Sequence, residues 1–63
     1  MKAVTIDDVY EDTGDELLVS LGTLSGHVYL DAMEGADCTC IALDRKGVKK
    51  LRKALKRALK EMP

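Results

Sequence analysis

Sixty-three residues with no tryptophan, no phenylalanine and only two tyrosines, Tyr10 and Tyr29, can make one domain with a thin aliphatic core. Residues 1–44 carry ten carboxylates against one cation, Lys2, a formal −9, while residues 45–63 carry nine cations against Glu61, a formal +8. The net −1 therefore hides two opposed poles, a pattern that bears on partners more than on fold. No run approaches the roughly 18 apolar residues of a membrane span, and residues 1–8 lack the apolar stretch of a signal peptide, so a cytoplasmic protein that avoids the membrane is expected.

Three dipeptides ending in glycine divide residues 1–43: Thr13-Gly14, Ser25-Gly26 and Glu34-Gly35. Glycine supplies the positive φ of tight hairpin turns. If each dipeptide is a two-residue loop, strands are expected near 3–10, 17–23, 27–33 and 37–43. Counting outward sets Tyr10 opposite Leu17 and Ile6 opposite Leu21 in the first hairpin. It sets Leu24 opposite His27 and Leu21 opposite Leu30 in the second, and Met33 opposite Ala36 and Tyr29 opposite Cys40 in the third. One face then collects Val4, Ile6, Tyr10, Leu17, Val19, Leu21, Val28, Leu30, Ile41 and Leu43, with Asp8 as an inward charge on an edge strand.

After Leu43 the period changes from two to 3.6. Asp44 is placed as an N-cap, and Val48, Leu51, Leu55, Ala58, Leu59 and Met62 share one side of a helix ending near Glu61. The nine cations take the other side. The fold class expected is α+β: a four-stranded antiparallel β-meander (1–43) and a basic amphipathic helix (44–62) packed on one sheet face, a single domain over 1–63. Gly47, early in that helix, suggests a close approach to the sheet.

The opposite sheet face should be polar if water covers it, yet it carries Leu18, Leu24, His27, Tyr29, Met33 and Cys40, and is about half apolar. That marks it as an interface, with a homodimer as the commonest form of oligomer. His27, Asp31, Cys38 and Cys40 share this face, and the counted register sets Cys38 opposite Asp31 and His27 diagonal to Cys40. Zinc accepts all three ligand types, but Cys-x-Cys with one distant histidine matches no strong zinc spacing, and no metal is expected. Side chains two apart on a strand stand about 6.5–7 Å apart, too far for a good disulfide, so reduced thiols are expected.

A cysteine nucleophile would need an activated thiolate, whereas acidic surroundings raise a thiol pKa. The acidic stretch 11–16 lacks the calcium-loop pattern, and no phosphate-binding glycine loop exists. No catalytic set and no cofactor are expected; the protein reads as a non-enzyme.

The remaining feature is the cationic helix side, where Lys49, Arg52, Lys53, Lys56, Arg57 and Lys60 form a candidate anion-binding surface. The order of four strands and one helix, with Ile41-Ala42-Leu43-Asp44 leading into that helix, resembles the single-stranded-DNA-binding domain of a transcriptional coactivator family. The resemblance implies nucleic-acid binding through basic, aromatic strands; the strands here are acidic, so it extends to layout and little of the sequence. In size and style the chain also resembles small orphan proteins encoded by phages, which would place it in a host cytoplasm. The leading expectation is a homo-oligomeric binding protein that occupies or sequesters a host protein or an anionic small ligand such as a nucleotide. The alternatives are a nucleic-acid-binding regulator using the helix, and a structural subunit of a larger assembly.

Overall fold

The computed structural model describes residues 1–10 and 14–63. Four strands, β1 (Val4–Asp7), β2 (Glu16–Leu21), β3 (Val28–Glu34) and β4 (Asp37–Leu43), precede one helix, α1 (Arg45–Glu61). The strands form a single sheet in the order β1-β2-β3-β4, every neighbour antiparallel. The meander followed by a C-terminal helix is the α+β class expected.

The registers differ from those counted. In the third hairpin Glu34 pairs with Asp37, which leaves Gly35-Ala36 as the loop and sets Tyr29 against Ala42 and Met33 against Cys38. Gly35 has φ 59° at the first loop position, as a type II′ turn requires. In the second hairpin Leu21 faces Val28 and Val19 faces Leu30. The Gly22 N–H donates to the His27 carbonyl at 2.9 Å, and the Gly26 N–H to the Gly22 carbonyl at 2.8 Å, so residues 23–26 form the loop. Leu24 therefore does not face His27, and Leu21 does not face Leu30.

In the first hairpin Ile6 faces Leu17 and Val4 faces Val19, and the ladder is extended by the Asp8 N–H, which donates to the Asp15 carbonyl at 3.0 Å. Tyr10 is thus beyond β1 and does not face Leu17, and Asp8, expected as an inward charge within an edge strand over 3–10, lies just past the end of β1. Thr13, and with it part of the acidic stretch 11–16, lies outside the described residues. These slips amount to two residues in the second and third hairpins and four in the first. All are even, so no strand turns over and the expected faces persist. One face carries the rows Val4–Val19–Leu30–Ile41 and Ile6–Leu17–Ala32–Thr39, with Leu21, Val28 and Leu43 beyond them.

Helix α1 begins where Asp44 predicts. Its Oδ1 accepts from the Gly47 N–H at 2.8 Å and its carbonyl accepts from the Val48 N–H at 2.9 Å. A Cβ on Gly47 would stand 3.3 Å from Leu43 Cδ2 and from Asp44 Oδ1, so glycine allows the helix to leave close to β4. The last turn closes on Met62, whose N–H donates to the Ala58 carbonyl at 2.9 Å.

The packing of α1 is narrower than the sandwich expected. Gly47, Val48 and Leu51 are half-buried, against the β4 end of the sheet, and no residue after Leu51 is better than exposed. Leu55, Leu59 and Met62 are 61%, 71% and 65% exposed, and across the sheet Val4, Ile6 and Ile41 are also exposed. The cause is the linker. Asp44 alone separates β4 from α1, and one residue in extended geometry (φ −81°, ψ −178°) gives no room to reverse the chain over its own sheet.

Among the described residues no side chain is buried. The chain exposes 5701 Å², about 1,700 Å² more than a folded monomer of its mass is expected to show. Its radius of gyration, 13.1 Å, likewise exceeds the roughly 10.6 Å of a compact domain of this length.

Candidate functional site

The cations of α1 arise from a spacing that a helix converts into lines. Positions three and four apart stack on one another, so Arg45, Lys49, Arg52, Lys56 and Lys60 form one ridge, and Lys46, Lys50, Lys53 and Arg57 the next. Each ridge runs most of a 17-residue helix, about 20 Å in length. The two together lie opposite the apolar stripe. Among the six candidate residues, Lys49, Arg52, Lys53, Lys56 and Lys60 have no ion pair to a described residue, while Arg57 Nε lies 3.7 Å from Glu61 Oε1 in a solvent-exposed i,i+4 pair. Such a pair contributes little. The structure therefore brings all six candidates onto one exposed side of one element.

The surroundings of this surface are open. At its N-terminal end, Arg45, Val48, Lys49 and Arg52 face Leu21 and Val28 across a groove between helix and sheet. Farther along, the lysines and arginines border only shallow concavities. No acidic residue lies in the first turn of α1, so the Asp44 cap carboxylate is what offsets the cations at the end where the helix dipole opposes them. The carboxylates Asp7, Asp8, Asp15, Glu16 and Glu34 gather at the opposite end of the sheet, around the loop that follows β1. The charge split in the chain is thus also a separation in space.

The second sheet face assembles only part of its expected set. Leu18, Asp31 and Cys40 stand in one row, with Tyr29 in the row on one side and Met33 and Cys38 in the row on the other. Leu24 falls in the loop between β2 and β3 and is fully exposed; His27 opposes Gly22 one residue before β3, four residues from the Asp31–Cys40 row, about 13 Å. The counted juxtapositions of Cys38 with Asp31, Tyr29 with Cys40, and His27 near Cys40 are thereby replaced by a Cys40–Asp31 pair. That pair pushes the Cys40 thiol above its ordinary value. The hydrogen bond to Asp31 is the main cause, followed by partial desolvation and the nearby Asp31 and Cys38 charges. Both cysteines are free and exposed. Among the described residues no three histidine, cysteine or carboxylate side chains group as a metal site.

Sequence reasoning passed over one local device. Tyr29 Oη and Ser25 Oγ are 2.9 Å apart, Ser25 Oγ also accepts from the His27 N–H at 3.3 Å, and the Tyr29 ring lies over Gly22. A Cβ on Gly22 would come within 2.5 Å of Tyr29 Cε2. The signal was available in Gly22 at the end of a strand, where an isolated glycine marks close approach, but the two-residue loop assumption placed that residue inside the ladder.

No described helix is long and apolar enough to cross a membrane. No family model, no curated protein and no solved structure matches this chain.

Proposed function

We propose that the chain is a non-enzymatic, homo-oligomeric binding protein that acts by occupying an anionic partner, held against the cationic side of α1. The observation that carries this reading is the arc of nine cations on an exposed helix, interrupted by no carboxylate and matched by none within the helix except Glu61 at its end. A charged surface built only for solubility gains from mixed signs, because i,i+4 pairs of opposite charge stabilise a helix; here like charges stack three and four apart, which costs stability.

The shape selects among anions. A small nucleotide would be held best by an enclosing pocket with convergent donors, whereas this surface is shallow and open. An extended partner, such as the acidic surface of another protein, fits it better. A second reading, a nucleic-acid-binding regulator, draws on the same ridges, since phosphates recur along a helix-length line. Against it stand the carboxylate-rich strands, which repel a polyanion that reaches beyond α1. A reduced cytoplasm, that of a host if the chain is phage-encoded, fits the two free thiols.

The test is a titration of fluorescent polyglutamate, single-stranded DNA and double-stranded DNA at two salt concentrations, with a melting-shift series against nucleotides. Saturable binding that weakens steeply with salt supports the reading, and the tightest ligand decides its class. The variant Arg52→Glu/Lys53→Glu/Lys56→Glu should lose that binding while its circular dichroism stays unchanged. Undiminished binding by this variant removes the helix from the function.

A further inference from the structure

We infer that the apolar stripe of α1 is covered by the apolar sheet face of a second copy of this chain, each copy lending its helix to the other's sheet. This deepens the homo-oligomer part of the reading above and rests on it. Two surfaces of the same chain lack cover: the stripe of Leu55, Leu59 and Met62, and the rows of Val4, Ile6 and Ile41. Each is what the other needs, an aliphatic ridge for an aliphatic sheet, and the one-residue linker at Asp44 keeps them apart within one chain.

The area agrees. The surplus of about 1,700 Å² per chain over a folded monomer exceeds the roughly 800 Å² per partner of a standard interface, and matches obligate dimers, which resemble a domain core divided between two chains. A lone chain with no fully buried side chain among those described has only partial burial along β2, β3 and the start of α1 to offset the entropy of folding. Exchange by a twofold axis uses each patch once on each copy and closes the assembly.

Charge agrees as well. Glu34 and Asp37 end the apolar face at the rim away from α1, where a borrowed helix lays down its flanking cations. The outer cations, centred on Lys53 and Arg57, stand opposite the stripe and stay free, so dimer formation leaves that part of the proposed anion surface open.

The experiment uses the unmodified chain. Sedimentation equilibrium should give twice 6.9 kDa. In a mixture of isotope-labelled and unlabelled chains, filtered methyl NOEs should connect Leu55 and Leu59 of one copy to Val19, Leu30 and Ile41 of the other. Between-chain methyl contacts confined to helix against helix overturn the inference, as does a mass of 6.9 kDa. As a second line, Leu55→Asp and Leu30→Asp should each lose the dimer when alone, and an equimolar mixture should regain part of it, because one intact helix still meets one intact sheet. A mixture that stays monomeric overturns the exchange. Lys53→Glu/Arg57→Glu should remain dimeric while losing polyanion binding, so failure of the anion reading and failure of this one are told apart.

Discussion

The first two turns of α1 and its last three carry the same pattern, apolar on one side and basic on the other, yet only the first two touch the strands. Gly47, Val48 and Leu51 are half-buried, while Leu55 and Leu59 stand in solvent. An amphipathic period states that a side will be covered; it does not state by what. The covering element is decided by the linker, and Asp44 is too short a linker to let the helix return over its own sheet.

Substitutions that treat the two halves differently sharpen this contrast. The largest effect is expected at Leu30, at the centre of the open face. Leu30→Asp places an unpaired charge where the second copy docks and should cost more than about 3 kcal/mol, read as loss of the urea unfolding transition. Next come Leu51→Ala and Leu55→Ala. If the exchanged dimer forms, each should cost about 2–3 kcal/mol, and the Leu55 effect should deepen on dilution. If α1 stands free, Leu55→Ala should be neutral within about 0.5 kcal/mol while Leu51→Ala still destabilises. Asp44→Ala removes the cap and should lower stability by about 1 kcal/mol in both halves alike, measured by thermal melting.

The smallest effect concerns Cys40. Its thiol is held above the ordinary value, so the stability that goes with the protonated thiol is present at low pH and is lost as pH rises through the raised value. At pH 8 Cys40 should therefore alkylate slowly, and Asp31→Asn should speed it, as followed by mass spectrometry.

Most of the fold was legible in the chain because its signals are periodic. Alternation along 17–21, 28–34 and 37–43 fixed which residues share a face, and Asp44 with the 3.6-residue repeat fixed where the helix starts. The registers were not legible, and the reason is physical. Slips of two or four residues leave every side chain on its own face, so the hydrophobic pattern cannot detect them; only turn chemistry can. Gly35 takes the first place of its loop and Gly26 the last of a four-residue loop, and a glycine alone does not say which. The six cations of the candidate surface follow directly from helical spacing. The Leu18, Tyr29, Met33 and Cys40 cluster follows from parity, whereas Leu24 left it once the second loop grew to four residues, and His27 stands at the end of the ladder away from Cys40.

The separation of carboxylates at one rim from cations on a protruding rod has a consequence for handling the protein. Near its isoelectric point, about 5.7, the molecule carries almost no net charge but a large permanent electric dipole. Neighbouring molecules then attract head to tail in dilute buffer, and added electrolyte screens that attraction. Solubility at that pH should therefore rise with the first additions of sodium chloride, the salting-in expected of a strongly dipolar solute.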